Sequence, residues 1–185
     1  MAAEILIAYA TRYGSTAEVA DRMGARLRQQ GHEVEVRQAR EVRSLDGNRA
    51  VVLGAPFYIG SMLKDARGFL DAHRKQLERL PVAVFALGPI SSSDDLAEAK
   101  QQLEGALAKL GWLKPAAAEM FVGSYDPARL RMADKLIAKV PVSPLYGKPA
   151  RDDRDWDAIR AWVDGLPEAL GLRAGEPGGP GEVER

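Results

Sequence analysis

Six consecutive residues, Thr11-Arg12-Tyr13-Gly14-Ser15-Thr16, bring three aliphatic hydroxyls, a guanidinium and a glycine together directly after an apolar run. A helix opening at Ser15 would add its unpaired N–H groups and roughly half a positive charge of macrodipole. That combination suits a phosphate monoester. Gly14 would let backbone approach the anion with no Cβ in the way, while Arg12 can add charge or face solvent. The spacing is neither G-x-G-x-x-G nor G-x-x-x-x-G-K-[ST], so it is neither a dinucleotide fingerprint nor a Walker loop. Ser15-Thr16-Ala17-Glu18 also fits S-x-x-E, a capping box that needs no ligand. Both readings can hold together, with Glu18 capping while Ser15 and Thr16 face a phosphate.

The elements that must position this loop follow from periodicity. Glu4 to Tyr9 is a short, nearly continuous apolar run, as expected of a strand buried on both faces. Val19, Ala20, Met23 and Leu27 then recur at helical spacing through Ser15–Gln30, and Gly31 ends the helix. Strands are expected at Val34–Arg37, Ala50–Ala55, Val82–Leu87 and Ala116–Val122. Helices are expected from beyond Gly60 to about Leu80, and over Asp94–Leu110, Asp126–Val140 and Asp153–Leu170. This alternation predicts an α/β fold with a parallel sheet, right-handed crossovers and helices on both faces. Such sheets bind ligands beyond the carboxyl ends of their strands, where strand order reverses. Three loops therefore matter: Thr11–Thr16, Pro56–Ser61 and Gly88–Asp94.

Composition narrows the chemistry. The 185 residues contain no cysteine, which excludes disulfides, thiolate nucleophiles and Cys-held metal. His32 and His73 sit apart and form no evident metal set, and no G-x-S-x-G elbow is present, so no catalytic or metal-ligating side chain is expected. Lys+Arg (26) cancel Asp+Glu (26), which argues against nucleic acid. The start, MAAEILIAYA, has no basic n-region and too short an apolar run for a signal peptide or membrane span. A cytoplasmic protein is expected. Residues 1–171 read as one domain and 172–185, rich in Gly and Pro, as a disordered tail. Oligomeric state is not legible.

Ile7 through Glu18 resembles the FMN-phosphate loop of flavodoxins, [ST]-x-T-G-x-T after the first strand, with Thr11, Gly14 and Thr16 matching and Tyr13 standing where Thr is usual. The resemblance implies a flavodoxin-like three-layer sandwich whose five-stranded parallel sheet runs 2-1-3-4-5, with FMN at the first/third-strand switch point. Thr11, Arg12, Tyr13, Gly14, Ser15 and Thr16 would then hold the phosphate. Pro56, Phe57, Tyr58, Ile59 and Gly60 would meet the flavin ring, with Phe57 and Tyr58 as walls unless they plug the sheet end. Gly60 would permit a peptide turn toward the ring. Gly88, Pro89 and Ile90 would meet the pyrimidine edge, leaving Ser93 and Asp94 to cap a helix.

Gly54 to Gly60, Phe69 to His73 and Arg154 to Asp157 are further similar to the flavodoxin-domain subfamily that includes menaquinone-dependent protoporphyrinogen oxidase. That likeness implies a redox protein or small oxidoreductase working with a quinone or similar acceptor. The long basic, aromatic insertion of those oxidases is absent after Gly88. A neutral chain also differs from flavodoxins that are acidic around the flavin and steer to basic partners. Arg129, Arg131, Lys135 and Lys139 lie on an amphipathic stretch that would suit a membrane surface, or else packs on the sheet and meets the acids of Asp152–Asp157. A non-catalytic binding or interaction protein of the same fold is the competing expectation.

Overall fold

The computed structural model of the chain describes residues 3–58, 60–88, 93–129 and 150–172, apart from the side chains of Tyr58, Ser93, Asp94 and Tyr125. The first strand, β1 (Ile5–Tyr9), is followed by α1 (Ser15–Gln29), β2 (Val34–Gln38) and β3 (Ala50–Tyr58). Then come β4 (Ser61–Met62), α2 (Lys64–Leu77), β5 (Val82–Gly88), α3 (Ser93–Ala108), β6 (Ala117–Val122) and β7 (Ser124–Tyr125). A single turn of 3-10 helix covers Pro127–Arg129, and β8 (Arg151–Asp152) and α4 (Trp156–Ala169) close the described chain.

The long strands lie in the order β2-β1-β3-β5-β6, all parallel. Counting only those five, this is the expected 2-1-3-4-5 order. The fold is flavodoxin-like α/β. Two apolar layers sandwich the sheet. On one face Val19, Met23 and Leu27 of α1 and Ile159, Val163 and Leu166 of α4 pack on Ile5, Ile7, Val52 and Phe85. Trp162 sets its ring edge-on to Phe85 and Phe121, at 6.3 and 5.8 Å between centroids. On the other face Phe69 and Leu70 of α2 and Leu103 and Leu107 of α3 cover Leu6, Leu53 and Val84. Helices thus change face between the crossover from β1 and the crossover from β3, which opens the crevice at the carboxyl ends of those strands.

The third strand differs from the sequence expectation. It continues through Pro56, Phe57 and Tyr58 and pairs with β4 in a hairpin, Phe57 opposite Met62. Proline usually ends a central strand because it has no N–H. Ala10 N donates to Gly54 O, so alternate residues of β3 direct their backbone groups at β1, whose pairing ends at Tyr9 with Gly54. Pro56 is two residues beyond Gly54, where no neighbour needs its N–H. The interruption is only apparent.

The opposite rim is fastened by polar contacts. Glu4 joins His32 Nδ1 through Oε2 at 2.9 Å and accepts from Arg49 Nη1 through Oε1 at 2.9 Å, while Asn48 Nδ2 donates to Ala3 O at 2.6 Å. His32 is buried there, and His73 is buried beside Val42 O.

Candidate phosphate and flavin site

The turn between β1 and α1 is built by two residues. Gly14 is the N-cap of α1, in the left-handed region at φ 90°, and its N–H donates to Thr11 Oγ1 at 2.9 Å. That φ suits glycine far better than any residue with a Cβ. Among the described residues no side chain caps α1, so the expected capping box does not form. Ser15 is the first helical residue rather than the cap, and the Glu18 carboxylate turns outward. It accepts from Arg154 Nη1 at 2.9 Å and from Arg22 Nη2 at 3.2 Å. Two guanidiniums outcompete one amide for a carboxylate.

What the turn presents is a set of donors. Ser15 is half-buried, and its Oγ accepts from Ser124 Oγ at 3.0 Å. Thr16 is buried at 1% exposure. The Arg12 guanidinium lies 5.4 Å from the centre of the Tyr13 ring. A Cβ built on Gly14 would meet Arg129 Nη1 at 3.6 Å, so that guanidinium stands over the turn. Hydroxyls, uncapped helix amides and a guanidinium, with the nearest helix carboxylate drawn away, have the chemistry to accept a phosphate dianion.

The other predicted ring and edge residues divide into four groups. Pro56 and Phe57 are strand residues, and Phe57 is 2% exposed among the core side chains that include Met62, Phe69 and Leu53. The expectation that Phe57 stands exposed in a loop is therefore corrected: alternation along the extended β3 sends its ring inward. Gly60 is exposed in the β3–β4 turn at φ 71°, with no atom of the described residues within 4 Å of where a Cβ would stand. Gly88 is the buried last residue of β5. Ile59, Pro89 and Ile90 lie outside the described residues, as does the side chain of Tyr58.

Three residues at this end lie outside the three loops the sequence singled out for the ligand: Ser124, Arg129 and Arg154. Ser124 comes one residue after β6, and β7 pairs antiparallel with β8, Ser124 opposite Asp152. The Arg154 side chain is 5% exposed and forks onto Asp152, with Nε to Oδ1 at 2.7 Å and Nη2 to Oδ2 at 2.5 Å, while Nη1 reaches Glu18. Its guanidinium also lies over the Trp156 ring at 4.6 Å, with Arg22 over the same ring at 3.9 Å. The hydrogen bond from Arg154 holds the Asp152 carboxyl below the usual carboxylate range, against the upward pull of its partial burial. Arg154 is correspondingly held above the usual guanidinium value, chiefly by its bond to Asp152. The rule that ligands gather at carboxyl ends of strands would have pointed to the loop after β6 as a fourth site loop.

The amphipathic basic helix expected over Asp126–Val140 begins differently. Asp126 precedes a 3-10 turn and caps it, accepting from Ala128 N at 2.8 Å, and Arg129 pairs with Asp126 at 3.6 Å. Arg131, Lys135 and Lys139 lie outside the described residues, as do the expected helix beyond Arg129 and the tail from Arg173. Among the described residues no group of three or more His, Asp or Glu is placed to hold a metal ion, and no helix is long and apolar enough to cross a membrane.

A flavodoxin domain family model matches residues 6–152, well over half of the chain. The chain belongs to the flavodoxin domain family. Among solved structures, a cysteine-to-serine mutant of flavodoxin from Pseudomonas aeruginosa superposes with a TM-score of 0.55 and 19% identity, over 90% of this chain and 98% of that one. Rubredoxin oxygen:oxidoreductase from Desulfovibrio gigas gives 0.52 and 15%, over 90% of this chain but only 36% of that larger protein. Oxidised flavodoxin 2 from Bacillus cereus is 26% identical over 64% of this chain and 85% of its own, with a TM-score of 0.46. No curated protein matches the chain. A flavodoxin domain implies FMN as cofactor, and the donor set at the start of α1 fits its phosphate.

Proposed function

We propose that this flavodoxin-domain protein holds FMN at the carboxyl edge of its sheet and passes electrons between a reductant and a quinone or similar acceptor. The observation that carries the reading is the uncapped start of α1. Gly14 turns the chain, Thr11 fixes the turn, and Glu18 is withdrawn onto Arg154, which leaves the first-turn amides beside the Ser15 and Ser124 hydroxyls. Thr11, Gly14, Ser15 and Thr16 would take the phosphate, with Arg12 and Tyr13 at its margin. The ring would lie toward Tyr58, Ile59 and Gly60 on one side and Gly88, Pro89 and Ile90 on the other. FMN, when bound, supplies the redox chemistry. The chain's own residues bind it, orient it and limit water around it, and no side chain is assigned a proton.

A small oxidoreductase or carrier fits this chain better than a six-electron tetrapyrrole oxidase. Gly88 ends β5 and Ser93 begins α3, so residues 89–92 alone join them. That connection is too short to add a substrate-binding arm. Phe57, buried in the core, also presents no ring surface to a substrate.

Purified protein tests the reading directly. It should be yellow, release FMN on denaturation, rebind FMN at one equivalent, and pass electrons from a chemical reductant to a soluble quinone. Colourless protein that ignores added FMN would overturn it. Flavin that binds but never reduces a quinone would leave the cofactor and remove the acceptor.

A further inference from the structure

We propose that Arg129 makes this site selective for the phosphorylated flavin, FMN, over riboflavin; the inference rests on the reading above. Arg129 arrives from a loop more than a hundred residues further along the chain. The strand β6 ends at Val122, and Ser124 crosses to the loop and hydrogen-bonds Ser15 at 3.0 Å. The 3-10 turn Pro127–Arg129 then sets Arg129 Nη1 3.6 Å from where a Gly14 side chain would begin. A Cβ there would only touch the guanidinium at ordinary van der Waals distance, so the nitrogen stands within contact reach of the turn. The acid beside it is Asp126, whose Oδ2 lies 3.6 Å from Arg129 Nε. Exposed i,i+3 pairs of this length hold a side chain weakly. Asp126 engages the Nε edge, and Nη1, at the other end of the planar fork, is the nitrogen over the turn.

A guanidinium there differs in kind from the rest of the cradle. Hydroxyls and amides would hold any oxygen-rich ligand, but a fixed cation discriminates by charge. Riboflavin lacks the phosphate and gains nothing from it. FMN gains a charge-assisted contact that salt should weaken, because the side chain is 56% exposed. Arg12 is the competing source of charge, yet its guanidinium is over the Tyr13 ring at 5.4 Å.

The experiment is fluorescence titration of the flavin-stripped protein with FMN and with riboflavin, at low and high salt. Arg129→Ala should weaken FMN roughly five- to twenty-fold, in the range for one bond to a charged group partly screened by water. Riboflavin should be unchanged, and the salt dependence of FMN binding should flatten. Arg129→Lys should recover part of the preference. Equal weakening of both flavins, or no change in either, overturns the proposal, as does a preference lost in Arg12→Ala but kept in Arg129→Ala. Wild-type protein that binds neither flavin would instead sink the FMN reading itself. Arg129 is exposed, and far-UV circular dichroism of Arg129→Ala should match the wild type.

Discussion

Arg154 and Glu18, 136 residues apart in sequence, are joined by a hydrogen bond of 2.9 Å directly behind the Thr11–Ser15 turn. The contact does two things at once. It withdraws the only carboxylate in the first turn of α1, and it ties the β7–β8 ribbon, which carries Ser124, to that helix.

Arg154→Met should therefore loosen the ribbon and release Glu18 toward the turn. Loss of a nearly buried guanidinium that serves two half-exposed carboxylates should cost about 1–2 kcal/mol in urea denaturation. FMN affinity should fall as well, because a freed carboxylate opposes a phosphate. Arg154→Lys should rescue little, since an ammonium lacks the fork that spans both oxygens of Asp152. Stability that drops with no change in FMN affinity would separate the two roles.

Acid should weaken the same network in a defined window. Arg154 holds the folded-state pKa of Asp152 below the ordinary 3.8. A carboxyl depressed on folding contributes its full stability above the unfolded value and loses it as pH falls through the folded one. The stability gap between wild type and Asp152→Asn should be constant above the ordinary carboxylate range and close below it. Asp164 behaves alike, depressed by its hydrogen bond from Arg26, which ties α1 to α4 at 2.6 and 3.0 Å. Denaturation at a series of pH values checks both.

Two glycines with positive φ should respond differently. Gly60→Asn should fold nearly as well as wild type, since Asn tolerates the left-handed region, while Gly60→Val should lose about 1–2 kcal/mol. No atom of the described residues would crowd a Cβ at Gly60, so that cost is chiefly backbone strain. If the turn lies beside the flavin, Gly60→Val should also move the midpoint potential, read by redox titration. Gly14→Ala combines strain at φ 90° with a methyl group against Arg129, and should weaken FMN more than riboflavin.

Phe57 and Tyr58 should separate cleanly despite being neighbours. Phe57→Ala leaves a cavity in the core and should cost about 3–5 kcal/mol by thermal or urea melting. Tyr58→Leu should leave stability nearly unchanged and shift the bound flavin's absorption and fluorescence. A flavin spectrum altered by Phe57→Leu and indifferent to Tyr58→Leu would reverse the assignment.

The sheet order and the glycine turn before α1 were legible because both rest on local pattern. Apolar runs such as Ile5–Tyr9 and Val82–Gly88 mark buried parallel strands, and Gly14 between Thr11 and Ser15 marks the turn. What the sequence concealed was decided by distant partners. Pro56 reads as a strand breaker until β1 is known to end beside Gly54. Glu18 reads as a cap until Arg154 is brought against it. Arg129 reads as one of a basic row until the turn at Pro127–Arg129 delivers it to Gly14. No local periodicity encodes contacts across more than a hundred residues.

The Glu4, His32 and Arg49 cluster lies at the amino end of β1, and Gly14 lies beyond its carboxyl end. Five strand residues at about 3.3 Å each separate them by roughly 16 Å. Changes that far apart, with no shared partner, add independently. One rim therefore serves as foundation and the other as workbench. The working loops can be rebuilt for a new ligand while thermal robustness is restored separately from beneath.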